Sequence, residues 1–212
     1  MRIKVGMLYD EQVPFGNEVE AVNRAWAERH GYQFVARHAF PDSTLGPYWG
    51  RLPFIRDELE GCDWFLWVDA DAVVVNPDRG LEPLLPTDKR LAFSSDYNGL
   101  CCGVFALRAG DWCRRLIDAW LLLGNVSEHA WRVFDWNFKS EQTTFKALNR
   151  LFPAISNQVH TISEDHIQNP RSHYVKDALM VHFWAAWRGP QPVFKALAAL
   201  KALGYYPPDF FQ

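Results

Sequence analysis

Two aspartates follow a strongly apolar run in this 212-residue chain. The segment WFLWVDADAVVVNP covers residues 64–77, and Asp69 and Asp71 stand one residue apart within it. Residues two apart on an extended chain point the same way, so both carboxylates can reach one cation if the strand continues through them. Carboxylate oxygens suit Mg²⁺ or Mn²⁺, and such an ion can bridge to a diphosphate.

A bare D-x-D pattern is more often a turn in which aspartate caps backbone donors. Here the pair follows a strand too apolar to lie at the edge of a sheet. Two unpaired carboxylates at the end of such a strand would repel each other, and this repulsion favours a bound cation over a simple turn.

Apolar periodicity on both sides of the aspartates predicts an α/β chain. The predicted strands cover residues 3–9, 33–38, 64–69, 90–95, 103–108 and 177–183, and the predicted helices cover residues 17–32, 48–61, 112–124, 141–152 and 192–204. Asp111 and Ser140 are the predicted N-caps of two of these helices. The first seventy residues form two consecutive β-α-β units, which imply a parallel sheet. Ligands of such sheets bind beyond the carboxyl ends of the strands, where Asp69 and Asp71 are expected.

Composition bounds the class of protein. With 49% hydrophobic and 15% aromatic residues, the chain can bury one core, and no linker divides it, so residues 1–212 are predicted to form a single domain. A net charge of −3 without a run of lysine or arginine argues against nucleic acid as a partner. No apolar run reaches the roughly twenty residues of a transmembrane segment, and the four cysteines form no CxxC pair.

Four segments together resemble one enzyme family. Residues 48–77, YWGRLPFIRDELEGCDWFLWVDADAVVVNP, are similar to the aromatic-x-Lys-Leu-Pro helix and Trp-x-Asp-x-Asp-Ala strand of the retaining glycosyltransferases of sequence family 34. That family includes fungal α-galactosyltransferases, mannan polymerase subunits and plant xyloglucan xylosyltransferases. The segments GVFALRAGDWCRRLIDAW, EQTTF and VHFWA resemble its later motifs and follow in the same order. Such a series is far more specific than a lone D-x-D.

The resemblance implies a GT-A fold with a Rossmann-like nucleotide-binding half around a central mixed, mainly parallel sheet. Residues 1–100 would form the nucleotide-sugar-binding half and residues 101–212 the acceptor-binding half. The family also implies Mn²⁺ or Mg²⁺ as cofactor. Asp71 would be the principal metal ligand, Asp69 would touch the metal or the ribose, and His182 would be the third protein ligand. A histidine on an apolar strand is otherwise more often a hydrogen-bonded core residue.

The resemblance assigns further residues to the donor. Arg51 stands at the family's lysine and would steady the phosphates, although it would also suit the solvated face of a helix. Met7 and Tyr9, at the end of the first strand, are expected on the nucleotide side. Arg188 stands one residue beyond the place of the family's C-terminal lysine and would contact a phosphate of the donor.

Gln142 and Glu141 match the family's residues beside the reacting sugar. Gln142 is expected near the anomeric carbon, and Glu141 would grip hydroxyl groups of the sugar or acceptor. Both would equally suit the polar first turn of a helix, where the helix dipole favours glutamate.

Three departures from the family pattern leave the choice of sugar and acceptor open. Cys101 and Cys102 replace an Asn-Thr-like pair, and Ser140 replaces the first acid of an Asp-Asp-Gln segment. Ala185 and Ala186 stand in the altered tail HFWAAWR.

The predicted function is therefore a metal-dependent retaining glycosyltransferase that transfers galactose, xylose or mannose with an α-linkage. A UDP-sugar is the favoured donor and GDP-mannose the rival, with a glycan or another hydroxyl compound as acceptor. One alternative is a nucleotide-sugar or glycan-binding module that has lost catalysis. A metal-dependent phosphohydrolase or nucleotidyltransferase is a weaker one, because neither further acids nor a phosphate-binding glycine loop surround residues 69–71.

The family's N-terminal membrane anchor is absent from the sequence. We therefore expect a cytoplasmic bacterial or viral enzyme, or a soluble catalytic domain trimmed of its anchor.

Overall fold

A computed structural model describes residues 1–40, 46–96, 99–125, 140–167, 169–170, 177–184 and 189–202. Its strands are β1 (Ile3–Leu8), β2 (Gln33–Arg37), β3 (Trp64–Val68), β4 (Ala72–Val74), β5 (Leu91–Asp96), β6 (Gly99–Arg108), β7 (Val159–Ser163), β8 (Asn169–Pro170) and β9 (Met180–His182). Its α-helices are α1 (Gly16–Arg29), α2 (Arg51–Glu58), α3 (Asp111–Gly124), α4 (Glu141–Leu151), α5 (Pro153–Ser156), α6 (Glu164–Ile167) and α7 (Gln191–Ala202). Short 3₁₀ helices cover Pro47–Gly50 and Glu82–Leu84.

Six strands form the central sheet in the order β2-β1-β3-β6-β5-β7. β1 pairs in parallel with both β2 and β3, and β5 pairs in parallel with β7, whereas β6 runs antiparallel to both of its neighbours. The prediction of a mixed, mainly parallel α/β sheet is therefore confirmed. β3 lies in the middle of this sheet and all five of its residues are buried, as its apolar composition requires.

The two faces of the sheet carry separate cores because strand side chains alternate. Phe65 and Trp67 of β3 pack with α2, α3 and α4 on one face. Trp64, Leu66 and Val68 pack on the other face, with α1 and the small sheet β4-β9-β8. The sheet is thus covered by helices on both sides, which is the arrangement of doubly wound α/β proteins.

The predicted helices and strands are confirmed in the described residues, with one exception among the caps. The Ser140 hydroxyl accepts a hydrogen bond from the Thr143 backbone N–H at 3.2 Å, so Ser140 caps α4 as predicted. The prediction for Asp111 is wrong: α3 begins at Asp111 itself, and Gly110 occupies the cap position with φ of 144°. A residue without a side chain suits that backbone conformation, and Asp111 instead places its charge in the first turn.

Candidate metal centre

A tight turn brings the two aspartates together. β3 ends at Val68, and the backbone N–H of Ala72 donates to the Asp69 carbonyl at 2.9 Å. The N–H of Asp69 donates to the carbonyl of Gly103 on the adjacent β6 at 2.8 Å. The strand does not continue through Asp69 and Asp71, so the condition for convergence by strand alternation is not met. Their carboxylates converge because the chain turns between β3 and β4, and strand alternation plays no part.

β9 carries His182 to the same place. β9 pairs antiparallel with β4, with His182 opposite Ala72, and the Phe183 N–H donates to the Asp71 carbonyl at 2.7 Å. This register places the imidazole Nε2 3.0 Å from Asp71 Oδ1 and 3.9 Å from Asp69 Oδ2. One ligand atom from each of the three side chains lies within 4.8 Å of the others.

This donor set fits a divalent cation. For metal–ligand bonds of about 2.1 Å, ligands at right angles are about 3 Å apart and opposite ligands about 4.2 Å apart. The separations of 3.0 and 3.9 Å from His182 to the two carboxylates fall within this range. Two carboxylates and one imidazole are donors that divalent metal ions accept in proteins, so these three residues could hold such an ion.

The charges in the cluster are strongly coupled. Burial raises the pKa of Asp69 to about 6, although the nearby guanidinium of Arg51 lowers it. Burial also acts to raise the pKa of Asp71, but His182 outweighs it and holds that pKa below its ordinary value. Burial opposes the charging of His182, yet Asp71 and Asp69 raise its pKa above the usual 6.5. Without a metal, the two carboxylates thus favour the charged form of the His182 imidazole.

Arg51 forms a second bridge across the site. Its Nη1 lies 3.0 Å from Asp69 Oδ1 and its Nη2 lies 3.5 Å from Glu141 Oε1. Nη1 also donates to the Cys102 carbonyl at 2.7 Å, and Nε donates to the Tyr48 carbonyl at 3.1 Å. Only 9% of the Arg51 side chain is exposed, so the alternative of a solvated charge on a helix face is wrong.

The first turn of α4 contacts the cluster through Arg51. Gln142 Oε1 accepts a hydrogen bond from the Cys102 N–H at 2.9 Å, and the Trp120 indole donates to the Glu141 carbonyl at 2.7 Å. The Glu141 side chain is buried against Arg51. Both residues therefore have specific partners beyond those of a polar first turn.

A cavity of about 610 Å³ opens at the carboxyl ends of β1 and β3. Its walls include the three candidate metal ligands, Arg51, Trp67, Leu8 and Asp10. The exposed aromatics Tyr48 and Trp184 also line it. Neither aromatic residue was predicted in the site, although both lie within the family-like segments, and Asp10 was not predicted there either.

Strand alternation turns Met7 and Tyr9, the residues predicted on the nucleotide side, away from the cavity. Leu8 and Asp10 line the cavity, whereas the side chains of Met7 and Tyr9 are buried in the core beside α1. The Tyr9 hydroxyl lies 2.8 Å from Glu20 of that helix. The predicted residues Arg188, Ala185 and Ala186 lie outside the described part of the chain. Among the helices that the structure describes, none has the length and apolarity needed to cross a membrane.

Comparison with known proteins confirms the resemblance indicated by the motifs. Residues 9–92 match the model of the galactosyl transferase GMA12/MNN10 family. A probable glycosyltransferase 6 from Oryza sativa subsp. japonica is 28% identical over 110 residues, which are 46% of this chain and 23% of the rice protein. An alpha-1,2-galactosyltransferase from Schizosaccharomyces pombe is 24% identical over 161 residues, covering 55% of this chain and 43% of that protein. The matched part of the chain thus spans less than half of each relative.

Solved structures confirm the GT-A fold. A glycosyltransferase involved in the glycosylation of the major capsid of PBCV-1 superposes with a TM-score of 0.76 at 17% identity, covering 92% of this chain and all of that one. The galactosyltransferase LgtC, solved with donor and acceptor sugar analogs, gives a TM-score of 0.57 at 12% identity, covering 93% and 95% of the two chains. At these identities the likeness establishes the fold alone.

Proposed function

We propose that this chain, which has the GT-A fold and matches a galactosyl transferase family over residues 9–92, is a metal-dependent retaining glycosyltransferase. It would transfer a sugar of the galactose, xylose or mannose type from a nucleotide diphosphate donor to a hydroxyl group of a glycan or similar acceptor. Residues 1–100 would bind the donor and residues 101–212 the acceptor. The observation that carries the proposal is the convergence of Asp69, Asp71 and His182 on one cavity beyond the ends of the parallel strands.

The charge around the cavity supports a role for a cation. Within the described part of the chain, the Arg51 guanidinium faces the carboxylates of Asp69 and Glu141, and Asp71 adds a third carboxylate to the cluster. In the half-buried site this excess of negative charge is unfavourable unless a proton or a metal offsets it. Bound Mn²⁺ or Mg²⁺ would supply Lewis-acid stabilisation of the departing diphosphate.

Each residue then has a distinct role in the proposed reaction. Asp69, Asp71 and His182 hold the metal-binding position, and Arg51 contributes a fixed positive charge to the cavity wall. Oε1 of Gln142 accepts the Cys102 N–H with one lone pair, and its second lone pair would face the reacting sugar and stabilise positive charge at the anomeric carbon.

Retention of the donor's α-configuration would follow from attack on the face that the diphosphate leaves. Glu141 is engaged by Arg51, which makes it a poor covalent nucleophile. We therefore propose that the departing phosphate itself accepts the proton of the acceptor hydroxyl.

The donor is the first point to test. We would screen UDP-galactose, UDP-xylose, UDP-glucose and GDP-mannose by thermal shift with and without Mn²⁺, because a ligand that binds only the native state raises the melting temperature. A UDP-sugar should raise the melting temperature only when Mn²⁺ is present. GDP-mannose is the alternative donor, and a preference for it would change the nucleotide while leaving the reaction class intact.

Turnover separates an enzyme from a binding module with the same fold. Release of nucleoside diphosphate from the selected donor should require Mn²⁺, and NMR of the product should show the donor's α-configuration. If the donor binds but is neither hydrolysed nor transferred to any glycan acceptor, catalysis has been lost. A product with the inverted configuration would exclude the retaining mechanism.

A further inference from the structure

Gly103 lies inside β6, where a residue without a side chain is unfavourable unless another group needs the space. The neighbouring residues of β6 are buried. A Cβ atom built on Gly103 would lie 2.1 Å from Cε1 of His182 and 2.7 Å from each of its ring nitrogens. Carbon atoms do not approach so closely without a shift of one of them. The imidazole of His182 therefore occupies the space that any side chain at position 103 would need.

The same short stretch of β6 contacts the other side of the site through its backbone. The Gly103 carbonyl accepts the N–H of Asp69 at 2.8 Å. Immediately before it, the Cys102 N–H donates to Gln142 Oε1 at 2.9 Å, and the Cys102 carbonyl accepts Arg51 Nη1 at 2.7 Å. Consecutive backbone groups thus position Asp69, Gln142 and Arg51. The His182 ring packs against Gly103 on the side where a side chain would lie.

We propose that the backbone of Cys102 and Gly103 is the element that positions this site, and that Gly103 is the residue that admits His182 to the metal position. The inference rests on the proposed function for the identity of the cation. Gly103 is a positioning residue, because it acts through His182 and Asp69 and need not touch the substrate.

The distances show why a methyl group at position 103 matters. With Gly103 the ring lies against the strand, and Nε2 stands 3.0 Å from Asp71 Oδ1. An alanine Cβ would force the ring away from β6 or the strand away from the ring. Metal–nitrogen bonds tolerate little displacement around about 2.0–2.2 Å, so a shift of even about 1 Å takes His182 out of the coordination shell.

A double-mutant cycle tests the inference. The variants are Gly103→Ala, His182→Ala and the double variant, and Gly6→Ala is the matched control. Gly6 also lies within a buried strand, and a Cβ there would meet Phe65 Cζ at 2.1 Å, so the control adds a comparable clash that involves no side chain of the cluster. Mn²⁺ binding is measured by EPR of the free ion, stability by thermal unfolding, and the position of the His182 ring by NMR of metal-free protein.

Gly103→Ala should weaken Mn²⁺ binding at least about tenfold, as loss of a supporting contact to a metal ligand does. Gly6→Ala should lower the melting temperature and leave Mn²⁺ binding unchanged. Because the three atoms nearest to the built Cβ all belong to His182, His182→Ala should restore part of the stability lost in Gly103→Ala. In the His182→Ala background, Gly103→Ala should change Mn²⁺ binding by less than about threefold, since residues acting through one contact are non-additive.

The outcomes separate this inference from the proposed function. Equal Mn²⁺ affinity of Gly103→Ala and wild type, or full additivity in the cycle, overturns the positioning role and leaves the glycosyltransferase proposal standing. Absence of Mn²⁺ binding in wild type overturns the metal-dependent function instead.

In that case the NMR signals of the His182 ring in metal-free protein still test the positioning role. A change of their chemical shift in Gly103→Ala but not in Gly6→Ala supports the role, and unchanged signals refute it. If Gly103→Ala alone fails to fold, recovery of the fold in the double variant supports the role, and no recovery refutes it.

Discussion

Removal of the Arg51 cation should destabilise the protein strongly and in a pH-dependent way. Arg51→Met keeps much of the apolar stem but leaves Asp69 and Glu141 without the guanidinium that lies 3.0 and 3.5 Å from them. Breaking a buried ion pair from one side costs about 3–5 kcal/mol, which for a chain of this length corresponds to roughly 6–20 °C in melting temperature. That is a large part of the roughly 5–15 kcal/mol by which folded domains are stable.

The pH dependence follows from Asp69. Burial already raises its folded-state pKa to about 6, and Arg51 is the strongest influence that lowers it. In Arg51→Met that influence is lost, so the folded-state pKa rises further above the unfolded value. A carboxyl group with a raised folded-state pKa makes the protein lose stability as pH rises from its unfolded pKa to its folded pKa. Both proteins lose this stability in parallel up to about pH 6, so the stability difference between wild type and Arg51→Met should be smallest and nearly constant from about pH 4 to 6 and widen as pH rises above about 6.

The assay is chemical and thermal unfolding of both proteins across this pH range in metal-free buffer. Arg56→Met is the matched control, because Arg56 lies on the same helix and pairs with Asp118 at 2.6 Å, with both side chains about half exposed. Such a surface pair contributes less than about 1 kcal/mol. Equal small losses for the two variants, or a difference that does not widen with pH, would refute the idea that Arg51 neutralises a buried carboxylate cluster.

Three further predictions concern the metal. Asp71→Asn should abolish Mn²⁺-dependent release of nucleoside diphosphate while melting close to wild type, because a neutral imidazole on His182 can pair with the new amide; full activity of this variant would contradict the assignment of Asp71. His182→Ala should raise the Mn²⁺ concentration for half-maximal activity, while His160→Ala, at an exposed position of β7, should not, and equal effects of the two would argue for a purely structural His182. Since the pKa values of His182 and Asp69 are raised, Mn²⁺ must displace protons from the site below neutral pH. The affinity of the site for Mn²⁺ should therefore fall from pH 8 to pH 6 by up to about tenfold per pH unit for each proton displaced. A titration in which Mn²⁺ affinity is independent of pH would show that the ion binds elsewhere.

Much of the fold could be predicted because its signals are local. The buried β3 is a continuous apolar run, the helices show helical periodicity, and Ser140 stands at the start of one. Two β-α-β units in succession constrain the first three strands to one parallel sheet. The prediction of Asp111 as an N-cap was wrong because the adjacent Gly110 adopts a backbone conformation that sequence spacing does not reveal.

The candidate site was predicted less completely, because side-chain direction depends on where each element ends. The turn after Val68, not strand alternation, brings Asp69 and Asp71 together. At the end of β1, one position of register decides that Leu8 lines the cavity while Met7 is buried in the core.

By itself the sequence determined an α/β chain with acidic residues after a central strand, and its motifs indicated a glycosyltransferase family. Only the tertiary structure decided that Arg51 is buried between two carboxylates and that His182 reaches Asp71 across 111 positions of the chain. The physical reason is that periodicity reports the environment of neighbouring residues, whereas a contact between distant residues exists only when distant elements pair or pack in one register. Here that register is set by the pairing of β4 with β9, and it is accommodated by the missing side chain of Gly103.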